Sequence, residues 1–133
     1  MKRTLTALVL AAASVSPALA ADATGTWQTE PGDTGGVLHV TVAPCGSAVC
    51  GTIKHAFSAD KSQNTTYEHL GKQMIWDMAA EGEGRWAKGK IWAPDSDKTY
   101  SAKMELLSAD QLKVSGCVAG GLICRGQTWI RVK

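Results

Sequence analysis

The sequence has no apolar run long enough to span a bilayer, no helical periodicity beyond its first residues and no lasting excess of either charge. Its longest apolar stretch, Leu5 to Val15, falls well short of the roughly 20 residues that a membrane helix needs. That stretch follows Lys2 and Arg3 and precedes Ala18-Leu19-Ala20, giving the basic start, apolar middle and small-residue site of a cleaved export signal. Residues 1–20 are therefore read as a leader, and no cysteine stands at the cleavage point to accept a lipid anchor. The formal charge of +2 comes from Lys2 and Arg3, so the mature chain balances twelve basic against twelve acidic residues. This balance leaves no basic footprint for nucleic acid or an anionic membrane. The expected product is a single periplasmic or secreted domain, residues 21–133, with no membrane span.

Cysteine is sparse, but all four residues fall in the mature region: Cys45, Cys50, Cys117 and Cys124. An even count in an oxidising compartment points to disulfides. Three pairings are formally open. The local pairs, Cys45 with Cys50 and Cys117 with Cys124, are preferred because each ties the arms of a tight turn. Neither gap has the two-to-four-residue spacing of a zinc knuckle, and the histidines His39, His55 and His69 form no compact ligand motif. No metal or cofactor is expected.

What the mature chain does have is alternation. Val37 to Ala43 sets Leu38, Val40 and Val42 against Val37, His39, Thr41 and Ala43, the period of two that marks a half-buried strand. Further extended segments are read at Thr24–Thr29, Gly51–Phe57, Gln73–Ala79, Arg85–Ala93, Thr99–Leu107, Leu112–Val118 and Leu122–Val132. Turn-rich residues separate them. Ser58 to Gly71 is the longest irregular segment, a candidate lid or rim with one helical turn near Tyr67 to Leu70. About eight short strands joined in sequence make an antiparallel meander. Closure into a small barrel, rather than a sandwich or an open sheet, hides both edges.

The order of several fragments resembles the bacterial exported family called domain of unknown function 2147. These are Gly25-Thr26-Trp27, Cys50-Gly51-Thr52-Ile53, Asp60 with Asn64, and Leu70-Gly71. They continue through Trp86 with Gly89-Lys90-Ile91-Trp92-Ala93-Pro94, then Lys98-Thr99-Tyr100-Ser101-Ala102, and close on Cys124-Arg125-Gly126-Gln127-Thr128-Trp129-Ile130-Arg131. Gly-x-Trp in the first strand with an arginine in the last also resembles lipocalin-like and avidin-like barrels. That resemblance implies that Trp27 plugs the barrel floor and that Arg131 stacks across it to close the barrel. For so short a chain, the cavity is expected to be small or filled by side chains.

Five tryptophans in one small domain are first of all core, since aromatic side chains fill barrels and pair across strands. Trp27 and Trp129 are assigned to core and closure. Trp76, Trp86 and Trp92, on the strands after the long loop, are the candidate pocket wall, with Met104 beside them. His55 shares parity with Ile53 and Phe57 and is expected to point inward; Asn64 either orders the long loop or touches a ligand. Asp95 and Asp97 read as a hydrogen-bonded turn. No nucleophile–base or acid–base constellation emerges, so no catalytic residue is assigned. The leading expectation is a non-enzymatic barrel that binds a small apolar or amphipathic molecule. Its rival is a filled barrel that scaffolds an envelope protein partner.

Reduction of the mature protein is expected to lower its thermal midpoint while a single cooperative transition survives, since short disulfide loops contribute only ~2–3 kcal/mol each. A thiol titration that finds four free sulfhydryls in the untreated native protein rejects the pairing.

Overall fold

A computed structural model describes residues 22–133; the proposed leader at residues 1–20 lies outside them. The chain forms eight antiparallel strands in one closed barrel, each strand paired with its neighbours in sequence and the last returning to the first. The strands are β1 (Gly25–Gln28), β2 (Val37–Cys45), β3 (Ala48–Phe57), β4 (Gln73–Ala80), β5 (Arg85–Ala93), β6 (Lys98–Ser108), β7 (Gln111–Val118) and β8 (Ile123–Arg131). Within these residues the helical content is a short 3-10 turn at Ala119–Gly121. No helix of the described residues is long and apolar enough to cross a membrane.

The two ends of the barrel differ. Trp27 is fully buried at one end and donates its indole N–H to the Ala23 carbonyl at 2.8 Å. The Arg131 guanidinium lies 4.3 Å from the Trp27 ring centroid. It donates to the carbonyls of Thr24 at 2.8 Å, Asp22 at 3.0 Å and Ala109 at 2.8 Å. One cation thus binds the approach to β1 and the β6–β7 turn across the end of the barrel. Gly25 leaves the room: a β-carbon there would sit 2.6 Å from the Arg131 Nη1. A desolvated cation–π pair contributes about 1–2 kcal/mol, and a hydrogen bond from a charged donor adds to it.

The barrel interior is apolar and densely filled towards this sealed end, where Val40, Val42, Ile53, Ile75, Met78 and Leu112 are buried. Along β3, β4 and β5, bulges decide which residues face in. Opposite the step between His39 and Val40, the register jumps from His55 to Ile53. Lys54 is the extra residue, and Ile53 and Ala56 are both buried while His55 is exposed. Asp77 and Lys88 adopt positive φ, 57° and 60°, and break the alternation in the same way. Gly89, after the second of these, packs where a β-carbon would come within 2.5 Å of the Met78 sulfur.

Cys45 bonds to Cys50 across the β2–β3 turn at the sealed end, and Cys117 to Cys124 across the β7–β8 connection at the opposite end. Paired strands run through the first bridge, since β3 starts at Ala48 rather than after Cys50. The β1–β8 seam is short, pairing Trp27 with Arg131 and Gln28 with Ile130. Beyond it the Glu30 carboxylate accepts the Thr128 backbone N–H at 3.1 Å.

Truncating the seal measures its worth. Arg131→Ala is expected to lower the unfolding free energy by ~1–3 kcal/mol through lost stacking, packing and hydrogen bonds. Urea denaturation of the two proteins is the measurement, and equal midpoints and slopes would remove Arg131 from the closure.

Candidate functional site

The end of the barrel away from Arg131 is open. It leads into a cavity of about 1120 Å³. The expectation of a small or side-chain-filled interior therefore fails for this half of the barrel. The space exists because small residues line it: Gly36, Ala56, Ala93 and Gly116 contribute to its wall. Its apolar depth is made by Met74, Val114 and Trp129, all buried, with Leu38 and Ile91 partly buried. Trp129 is 1 % exposed and donates its indole N–H to the Gln127 side-chain carbonyl at 3.0 Å.

Alternation along β8 sets the polar side of the cavity. Arg125, Gln127 and Trp129 all line it, in descending order from the mouth. Register pairs Arg125 with Gly116, whose position carries no side chain and faces Tyr100 and Ile91. Among the described residues, the Arg125 guanidinium enters no ion pair or side-chain hydrogen bond. The remaining charged groups of the lining are carboxylates of the rim: Glu30, Asp33, Asp60 and Asp95. Three are engaged as acceptors: Glu30 by Thr128, Asp95 by the Asp33 N–H at 3.2 Å, and Asp60 by Ser62. The Ser62 bonds hold the exposed Asp60 carboxyl below its ordinary pKa. Tyr67, also in the lining, has its phenol pKa raised by burial and then by the negative charges of Asp95 and Glu68. Its hydroxyl is a neutral donor at physiological pH.

The long irregular segment forms part of this rim. The Asn64 N–H donates to the Ala56 carbonyl and the Gly71 N–H to the Ile53 carbonyl, each at 2.8 Å, so both ends of the segment are tied back to β3. Around Tyr67 to Leu70 the chain turns once, with a Leu70 N–H to Tyr67 carbonyl bond of 3.3 Å. Asn64 lines the cavity while its side-chain carbonyl accepts the Thr66 N–H and hydroxyl. It orders the loop and borders the site at once.

The other candidate ligand residues fall elsewhere. Trp76 sits opposite Lys90, half-buried between buried Ile75 and exposed Asp77, and does not border the cavity. Trp92 packs outside it: its indole N–H donates to the Asp97 carboxylate at 2.8 Å, and His69 stacks edge-on at 4.9 Å. Trp86 and Met104 face one another across β5 and β6, buried in the core. They reach a separate hollow of about 370 Å³ among exposed charged residues. His55 is exposed, with His39 6.1 Å away across the strand pair. The physical reason is shared by several: the bulge at Lys54 turns His55 out, and the one around Lys88 separates inward Trp86 from outward Trp92. Arg125, Tyr100, Gln127 and Trp129 line the cavity but are not among the ligand residues expected from the sequence. Period-two alternation counted back from Arg131 would have placed three of them on the inner face.

No group of three or more His, Cys, Asp or Glu side chains among the described residues is arranged to hold a metal ion. His39 lies against Phe57, with ring centroids 4.6 Å apart, and its Nε2 meets the Gln28 side-chain oxygen at 3.1 Å. Burial, and secondarily the neighbouring His55, lower its pKa below the ordinary value.

A family model described as an uncharacterized protein conserved in bacteria, DUF2147, matches residues 25–131. The chain belongs to that family. A comparison with curated proteins gives no match. Among solved structures, a Helicobacter pylori protein described as belonging to the lipocalin family is similar, with a TM-score of 0.68 and 16 % sequence identity. The match covers 84 % of each chain. The likeness is one of fold: an eight-stranded antiparallel closed barrel of lipocalin type.

The histidine pair sets the sign of one pH effect. A depressed His39 pKa means that the unfolded chain takes up the proton first as pH falls. This contribution to stability is therefore present above the unfolded pKa and lost as pH drops through the folded one. Unfolding free energy is expected to fall between about pH 7 and pH 5, and His39→Gln to flatten that fall. An unaltered pH slope in the variant would clear His39 of the effect.

Proposed function

We propose that this family member is an exported carrier that holds a small apolar or amphipathic molecule in the open half of its barrel. The observation that carries the reading is the asymmetry of the interior. One half is filled and sealed by Trp27 and Arg131; the other holds a cavity of about 1120 Å³ with an apolar floor and a few polar groups on one wall. An apolar floor with a few polar groups on one wall is the usual form of a ligand pocket, and the volume lies just above the roughly 300–1,000 Å³ of small-molecule sites. Export is supported by Lys2, Arg3 and the segment from Leu5 to Ala20. The two disulfides fit an oxidising compartment.

One observation favours a second reading. Leu122 is 88 % exposed and Ile123 64 %, with Val118 close by at 46 %. All three sit on the disulfide-tied β7–β8 connection at the mouth. Apolar side chains so exposed at a rim suit contact with an envelope protein partner.

Native mass spectrometry of protein isolated gently from its own extracytoplasmic fraction separates the two. The expected result is a reproducible excess mass of small-molecule size that disappears on denaturation. A bare mass for residues 21–133 less four hydrogens, or a complex with a second polypeptide, would move the assignment to the scaffolding reading.

A further inference from the structure

The position of Arg125 allows the ligand class to be narrowed, resting on the carrier reading above. We infer that Arg125 anchors the head group of a monoanionic amphiphile, a single carboxylate at the mouth whose apolar tail reaches down to Trp129.

Arg125 and Trp129 both line the cavity from β8, and four residues of extended chain at roughly 3.3 Å each separate them by about 13 Å. A molecule touching both is polar at one end and apolar over the remaining length. Along that path it meets Val114, Met74, Ala56 and Ile91, a run of aliphatic and thioether surface. Gly116, opposite Arg125 in register, adds no side chain to the wall there, where a β-carbon would press on Tyr100 and Ile91.

Charge then selects the head group. Arg125 supplies the cationic side chain of the lining, and no carboxylate or carbonyl among the described residues takes up its guanidinium. Arg125 is exposed at the mouth, where its guanidinium is hydrated and free to take an anionic acceptor, and its planar fork matches a carboxylate in bidentate geometry. Tyr100 lies on the same wall and offers a second donor. Glu30, Asp33, Asp60 and Asp95 around the rim oppose further negative charge, so a dianionic or polyanionic head group is disfavoured over a monoanion. A cationic head group would meet the rim carboxylates, but three of those are already engaged by backbone donors, and it would face Arg125 just below.

The test uses a fluorescent dansyl-undecanoic acid and its uncharged methyl ester, each titrated into the wild-type protein, Arg125→Gln, Arg125→Lys and Lys103→Gln. Energy transfer from tryptophan reports occupancy, since Trp129 borders the cavity. The acid is expected to bind the wild type about tenfold or more tightly than the ester, a gap that Arg125→Gln abolishes. Arg125→Lys should retain part of it, and Lys103→Gln, which removes an exposed cation outside this cavity, all of it. Arg125 makes no side-chain hydrogen bond among the described residues, so its replacement is expected to leave the melting temperature unchanged, which a thermal melt verifies. Equal affinity of the acid for wild type and Arg125→Gln would overturn the head-group assignment while the carrier reading stands. Failure of both probes to bind the wild type would overturn the two together.

Discussion

The stack of Arg131 on Trp27 is the contact on which the rest of the molecule depends. A meander of eight strands becomes a barrel when its last strand finds its first, and here that seam is only two residue pairs long. So short a ladder is weak by itself. The guanidinium extends it with three hydrogen bonds to carbonyls of the β1 approach and the β6–β7 turn, while the indole beneath it fills the axis of the barrel. The site costs the chain a residue without a side chain, because Gly25 occupies space into which any β-carbon would collide. With this end sealed by two large side chains, the opposite end does not have to be filled to hold the strands together.

The bulges come next in importance, because they decide what the interior contains. A strand of nine residues in strict alternation would put Trp86 and Trp92 on the same face. The extra residue around Lys88 puts them on opposite faces, and the smaller Ile91 and Ala93 take the wall positions in place of a second indole. Lys54 does the same for Ile53 and His55, while the bulge at Asp77 works the other way and brings Ile75 and Met78, three residues apart, both to the inside. These bulges also increase local twist, which helps a small sheet curl round on itself.

This explains how legible the molecule was. Strand positions could be read because alternation within each segment and turn residues between segments agree. The barrel followed from the count of strands and the need to hide edges. The identity of the wall residues did not follow, because a bulge changes parity without a reliable mark in the sequence. Positive φ at Asp77 and Lys88 is not announced by the residues themselves: aspartate adopts it more readily than most but is equally at home elsewhere, and lysine does not favour it. β8 shows the opposite case. Its register against β7 is continuous from Ile123 to Ile130, so parity counted from Arg131 holds as far as Arg125. The cavity's polar wall was therefore present in the alternation of the last strand, obscured by the greater weight that tryptophans carry when a pocket is sought.

The distribution of side-chain size along the axis connects stability to the cavity. Trp27, Trp86, Met78, Met104 and Leu112 crowd the sealed half, whereas Gly36, Ala56, Ala93 and Gly116 surround the open half. Apolar burial is roughly proportional to the area removed from water, so the sealed half supplies most of that term and the open half little of it. Bracing the open half therefore falls to other interactions: the Cys117–Cys124 bridge, the Asp95 and Glu30 carboxylates on backbone donors, and the hydrogen bonds that hold the Asn64 loop to β3. These hold a rim in place without filling the space inside it. Trp129 marks the boundary, with buried core beneath and the cavity above, and its indole N–H is satisfied by Gln127 on the same strand. A ligand settling on that indole would complete the apolar burial that the open half leaves unfinished, so occupancy and stability would rise together.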